Sequence, residues 1–147
     1  MRRAKGGWKA SYRDTWSLDC ALSPIIAAGL KKFLEVKTTK DFFGVPSKIA
    51  NKYPEGDIEG ADKEWQDILE KMLYAFDAPE PDIRAYDFKL DMKLVEDETL
   101  PEGSRRCEFL CSNEEAYARY KADMEVHEAR VIEGHRLFGE YYRCLWW

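Results

Sequence analysis

Histidine and cysteine, two residue types that are often catalytic, are scarce in this sequence. It contains two histidines, His127 and His135, and four cysteines in 147 residues. On a helix, the eight positions from one histidine to the other span about 12 Å, which is too far for both rings to bind one metal ion. A Gly-rich phosphate-binding loop, a nucleophile elbow and a zinc-protease motif are also missing. We therefore expect no catalytic residues, no metal site, no cofactor and no enzymatic activity.

The cysteines and the N-terminal residues indicate a cellular compartment. Cys20, Cys107, Cys111 and Cys144 form no Cys-x-x-Cys pair, and in a reducing compartment such cysteines are expected to be free thiols. Met1-Arg-Arg is not followed by the apolar segment of a signal peptide. No run of about 18 apolar residues could span a membrane. These features predict a protein of the cytoplasm.

A second group of residues suits ligand binding better than catalysis. Charged side chains interrupt the apolar faces of the predicted helices, and a buried charge must be paired or must bind a ligand. Trp and Tyr rings can stack on a planar ligand whose anionic part is held by Lys or Arg. The candidate ligand-binding residues are Trp16, Asp19, Trp65, Lys71, Arg136, Tyr141 and Arg143. The alternative is an interhelical network of ion pairs or a solvated edge.

Two segments in the first half of the chain have apolar residues at helical spacing. Residues 14–36 are predicted to form the first helix and residues 62–77 the second. Asp62 is a residue type that caps helix N-termini, so we expect it to cap the second helix. Glycines and prolines punctuate residues 37–61, which predicts a structured loop.

The last quarter of the chain, residues 112–147, contains the most regular helical pattern. Its apolar positions are spaced alternately three and four apart, which places them on one stripe of a helix. The stripe consists of Tyr117, Tyr120, Met124, His127, Val131, Gly134, Phe138, Tyr141 and Leu145. Ser112 and Glu115 have the spacing of a capping box at the start of this helix.

The pattern changes between the second helix and this last one. From Tyr86 to Leu94 every second residue is apolar, and residues 105–111 alternate in the same way. We expect a β-hairpin with one face packed on the helices and the other in water. The predicted fold class is therefore α+β: a small helical domain of about three helices with a long C-terminal helix and a β-hairpin insertion.

Charge is distributed unevenly along what we expect to be one domain. Residues 1–13 carry basic residues and no acidic ones, and predict a mobile arm. The net charge of the whole chain is −5, which argues against nucleic acid as the main partner. Trp146 and Trp147 point in different directions on a helix, so burying both requires the arm, the hairpin or a second subunit. A homo-oligomer is therefore one expectation.

Three segments are distinctive when taken together: Thr15-Trp-Ser-Leu-Asp19 leading to Leu30-Lys-Lys-Phe33, then residues 64–76, then residues 133–146. In this order they resemble a family of small hypothetical proteins encoded by tailed bacteriophages. The resemblance covers the three predicted helices but not the hairpin or the arm. It implies a phage protein that acts in the host cytoplasm, and it supplies no catalytic residues.

Two non-enzymatic functions are compatible with these observations, whereas an enzyme would require Asp19, Glu133 and a histidine around one cavity. The first is a non-enzymatic phage accessory protein that sequesters a small anionic ligand, such as a nucleotide-type defence signal of the host, through the candidate residues given above. The alternative is a protein-interaction module that inhibits a host protein or assists phage production. A contact with nucleic acid or with a membrane is expected in neither case.

Overall fold

A computed structural model describes residues 2–4, 7–39, 44–96, 98–101 and 103–145. In these ranges the structure contains five α-helices and two antiparallel two-stranded sheets. The helices are α1 (Tyr12–Trp16), α2 (Leu18–Thr39), α3 (Ser47–Ala50), α4 (Ile58–Asp77) and α5 (Glu114–Tyr141). The strands are β1 (Arg2–Ala4), β2 (Gly7–Lys9), β3 (Leu90–Glu96) and β4 (Arg105–Cys111). The predicted α+β class, with its long C-terminal helix and its hairpin, is confirmed.

The chain divides into two compact units. The first unit contains Met1–Ala78 and Ala129–Trp147, and the second contains Pro79–Glu128. The first unit holds the main hydrophobic core, and the second holds the β3–β4 hairpin. Helix α5 contributes residues to both units.

The N-terminal part of the chain is more structured than its sequence predicts. Where we expected an arm without secondary structure, β1 and β2 form a short antiparallel pair. The predicted first helix is divided at Ser17 into α1 and α2. Ser11 caps α1 through a capping box with Asp14. Each side chain of that box accepts a hydrogen bond from the other residue's backbone N–H, which satisfies two donors that a helix start leaves unpaired.

Helix α4 begins earlier than predicted, and its predicted cap is wrong. Asp57 is the N-cap, and its carboxylate accepts a hydrogen bond from the backbone N–H of Gly60 at 3.0 Å. Asp62 lies within the helix instead, where both carboxylate oxygens accept from Nζ of Lys37 at 2.6 Å. The predicted loop is also shorter, because α2 continues to Thr39 and α3 forms within it.

Helix α5 contains eight of the nine predicted stripe positions and ends at Tyr141, before Leu145; its predicted capping box is wrong. All nine stripe positions are buried or half-buried. The side chain of Asn113 accepts a hydrogen bond from the N–H of Ala116, so Asn113 caps the helix. The hydroxyl of Ser112 accepts from the N–H of Lys89 instead, and thereby closes the open end of the hairpin. The prediction about Trp146 and Trp147 concerns residues outside the part of the chain that the structure describes.

The core of the first unit is built around α4. Trp65, Leu69 and Met72 of this helix are fully buried. They pack against Leu30 of α2 and against the C-terminal part of α5. The buried members of this cluster are Leu30, Ile49, Ala61, Trp65, Ile68, Leu69, Met72, Leu137 and Tyr141.

Gly134 allows α5 to approach α4 closely. A Cβ atom at this position would lie 2.3 Å from the carbonyl oxygen of Lys71 and 2.6 Å from Cβ of Ala75. We expect Gly134→Ala to lower the free energy of unfolding by about 2 kcal/mol, because a backbone atom cannot move aside as a flexible side chain can. Chemical denaturation of the purified protein measures this change.

Gly139 provides the matched control on the same helix. A Cβ atom there would meet nothing within 4 Å. Alanine favours the helix over glycine, so Gly139→Ala is expected to raise the free energy of unfolding by up to about 1 kcal/mol. Equal effects of the two substitutions would show that the close approach at Gly134 does not occur.

Candidate functional site

The structure does not bring the seven predicted ligand-binding residues together. Trp65 and Tyr141 are both buried, and their ring centroids lie 5.5 Å apart in the core. Trp16 lies on α1 and is 80% exposed. Asp19 and Arg143 are exposed as well. A pocket in which these aromatic rings stack on one ligand is therefore absent from the described part of the chain.

Three of the seven residues, Lys71, Arg136 and Tyr141, line a groove of about 350 Å³. Its charged lining consists of four acidic and three basic side chains: Glu64, Asp67, Glu133 and Glu140, with Lys52, Lys71 and Arg136. Because the acidic groups outnumber the basic ones, this groove disfavours a strongly anionic ligand.

Most of the basic groups in this groove already have carboxylate partners. Arg136 donates hydrogen bonds to Glu133 at 2.8 Å and to Glu140 at 2.7 Å. Lys48 also pairs with Glu140, and Lys52 pairs with Glu64. Hydrogen bonds from these cations lower the pKa of the three glutamates. Both pairs of Arg136 lie within α5, and Glu140 extends them to α3 through Lys48, so the structure contains an ion-pair network here, the alternative that the sequence left open.

A neighbouring groove of about 420 Å³ lies between α4 and the C-terminal part of α5. Its one aromatic side chain, Tyr74, carries the guanidinium of Arg130 over its ring, 3.6 Å from the centroid. Such a cation–π contact occupies the ring face that a planar ligand would use. Asp67, Glu70 and Glu133 make this groove acidic as well.

The most unusual surface of the protein is one face of the β3–β4 hairpin. In the antiparallel register Leu90 pairs with Cys111, Met92 with Phe109, and Leu94 with Cys107. Alternate residues of a strand point to the same side, so all six side chains share one face. We call Leu90, Met92, Leu94, Cys107, Phe109 and Cys111 the apolar face.

The apolar face is largely uncovered. Phe109 is 73% exposed, Met92 59% and Leu94 55%. Leu90 and Cys107 are exposed too, and Cys111 is half-buried. The prediction that this face packs on the helices is therefore wrong for most of its length.

The alternating pattern contacts helix α5 at its start, before β3 begins. The first two apolar residues of the pattern, Tyr86 and Phe88, precede β3 and pack against α5. Phe88 lies 5.2 Å from Tyr117 between ring centroids, and Tyr86 lies 5.2 Å from Tyr120. This aromatic cluster anchors the open end of the hairpin. Beyond this cluster the side chains of Met92, Leu94 and Phe109 are exposed.

Charged residues dominate the opposite face of the hairpin. Asp91, Lys93, Arg106 and Glu108 lie there together with Val95 and Leu110, and Lys93 is the register partner of Glu108. Opposite charges directly across two strands stabilise the pair and keep this face hydrated. The hairpin is therefore amphipathic, with its charged side in water and its apolar side uncovered.

One pair of charges also lies on the apolar side. Glu96 and Arg105 are register partners at the end of the strands next to the connecting loop. Both follow the apolar residues in the alternation and so belong to the same side of the sheet. Both are exposed. They limit the apolar face at this end.

No protein-family model, curated protein or solved structure matches this chain. The resemblance to phage proteins therefore stays a prediction. In the described ranges, no three His, Cys, Asp or Glu side chains are grouped so that they could hold a metal ion. No helix described there combines the length and the apolar composition needed to cross a membrane.

Proposed function

We propose that this chain is a protein-interaction module and that it contacts a protein partner through the apolar face of its β3–β4 hairpin. The observation that carries the proposal is the exposure of Met92, Leu94 and Phe109 on one side of a two-stranded sheet. Burying an exposed side chain of this size contributes about 1.5–3 kcal/mol. Contiguous exposed apolar patches on soluble domains commonly mark interaction sites.

The hairpin itself also favours a partner. An isolated two-stranded sheet is marginally stable in water and gains stability when its apolar face is packed. The aromatic cluster around Tyr86 and Phe88 supports one end only. A partner that covers the strands would supply the missing packing.

The small anionic ligand stays a prediction, but the grooves on the helical unit favour it less. Their carboxylates outnumber their cations, and Arg136 is already engaged by two glutamates. A phage accessory protein that inhibits a host protein or assists phage production is consistent with an interaction module. That role rests on the sequence resemblance.

Site-specific photo-crosslinking tests the proposal in cells that produce the full chain. A photoreactive amino acid at position 92 lies on the apolar face, and one at position 93 lies on the charged face. We expect a covalent protein adduct at 92 on irradiation and little or none at 93, measured by mass spectrometry of the denatured product. No adduct at 92, or equal yields at the two positions, would refute the proposal.

A further inference from the structure

We propose that the partner covering the apolar face is a second copy of this chain, related by a two-fold axis that runs along the strands. The two hairpins then pack face to face with their connecting loops at the same end. This inference rests on the proposed function, since it names the partner of the same surface.

The register of the hairpin determines which residues meet in this arrangement. Rotation about an axis along the strands places β3 of one copy over β4 of the other. Each side chain on the apolar face then lies opposite a residue of the second copy. That residue corresponds to its own register partner. Met92 faces Phe109 of the second copy, and Leu94 faces its Cys107. A methionine sulfur against an aromatic ring is a favourable contact.

Charge complementarity favours this orientation. Because Glu96 and Arg105 are register partners, Glu96 of each copy faces Arg105 of the other. Two oppositely charged pairs therefore form next to the apolar contact, related by the two-fold axis. Such pairs specify orientation more than they add affinity.

The opposite orientation lacks this complementarity. An axis across the strands through Met92 and Phe109 would place the two connecting loops at opposite ends. Glu96 would then lie over residue 88 of the second copy, which already packs against α5. Cys107 would lie over Cys111 of the second copy. The first orientation has neither feature.

The size of the face sets the expected strength of the dimer. Seven residues per strand span about 23 Å, and the face is two strands wide. A standard stable interface buries about 800 Å² on each partner, which is more than such a face alone provides. We therefore expect a reversible dimer with a Kd in the micromolar range. Its contact would be a small four-stranded sandwich of the aligned type.

A charge-swap experiment tests the geometry in the full chain. The wild type is expected to be a concentration-dependent dimer in sedimentation-velocity runs under reducing conditions. Glu96→Arg alone and Arg105→Glu alone should each weaken dimerisation at least tenfold, since like charges then face each other. An equimolar mixture of the two variants should recover a dimer that contains one copy of each.

The mixture separates effects within one hairpin from effects between copies. Within each variant, positions 96 and 105 of the same hairpin still carry like charges after mixing. Recovery therefore comes only from contacts between chains. Lys93→Glu, on the charged face, is the control and should leave the dimer unchanged.

The wild-type protein supplies a second readout that needs no variant. After mild oxidation, peptide mapping should find no disulfide between Cys107 of one copy and Cys111 of the other, because each cysteine faces a leucine. Such a disulfide, or a mixture of variants that stays monomeric, would overturn the proposed orientation.

A wild type that stays monomeric at high concentration would overturn the inference. If position 92 still crosslinks to a different protein in that case, the proposed function survives.

Discussion

Trp65→Ala is expected to lower the free energy of unfolding by about 3–5 kcal/mol, the cost of removing a fully buried aromatic side chain. Trp65 is 0% exposed and packs on Tyr141 within a cluster that joins α2, α3, α4 and α5. Its removal leaves a cavity that the surrounding backbone can fill only partly. Equilibrium denaturation followed by circular dichroism measures the loss.

Trp65→Phe is the informative comparison. The indole Nε1–H of Trp65 is buried and has no hydrogen-bond partner among the residues that the structure describes. Phenylalanine keeps most of the apolar packing and removes this polar group, so we expect a loss of about 1 kcal/mol or less. A Phe variant as unstable as the Ala variant would contradict this expectation, since it would mean that the benzene ring of Phe does not replace the packing of the indole.

Asp62→Ala is expected to cost about 3 kcal/mol, because it leaves the buried ammonium of Lys37 without its carboxylate. The side chain of Lys37 is 3% exposed, whereas that of Asp62 is 41% exposed. Water can therefore hydrate Asp62 when Lys37 is replaced, but it reaches Lys37 poorly when Asp62 is removed.

Lys37→Met is the matched variant, and it should cost less than about 1 kcal/mol. Methionine fills the space of the lysine stem and removes the charge that has to be compensated. Thermal unfolding of both variants in the same buffer gives the comparison. If Lys37→Met destabilises the protein as much as Asp62→Ala, the difference in burial is not what determines the cost.

The periodic patterns in the sequence predicted the long helix α5 and the strand β3. The stripe from Tyr117 to Leu145 is buried or half-buried along its length, and the alternation from Leu90 to Leu94 forms a strand. Side-chain periodicity survives in the structure because it depends only on backbone geometry. At the break between α1 and α2 the sequence offers only a local signal, since Ser17 is a residue type that caps helix N-termini.

The caps were harder to predict because several suitable residues are present. Asp57 and Asp62 both precede helical residues, and either could accept a hydrogen bond from a backbone N–H. Asp62 pairs with Lys37, and Asp57 caps the helix instead. A local sequence pattern does not show a partner 25 positions away. Ser112 likewise does not cap its helix, because its hydroxyl accepts a hydrogen bond from the N–H of Lys89 at the open end of the hairpin.

The sequence predicted the pattern of the candidate surface but not its exposure. Alternation predicted an amphipathic hairpin, but whether another element covers its apolar side depends on tertiary contacts. Tyr86 and Phe88 of the pattern pack against α5, whereas Met92 is 59% exposed. One signal that could have been used is that no further strand or helix was predicted to pair with residues 90–94.

The first unit is discontinuous along the chain, since Pro79–Glu128 separates its two parts. Its core nevertheless needs Leu137 and Tyr141 beside Trp65. Folding this unit therefore requires closing a long loop before those contacts form, and the entropy lost in closing a loop slows such a step. Structure formed early within Pro79–Glu128 would shorten that loop. Folding of the second unit can therefore determine the rate at which the core of the first unit forms, although the second unit contributes no residue to that core.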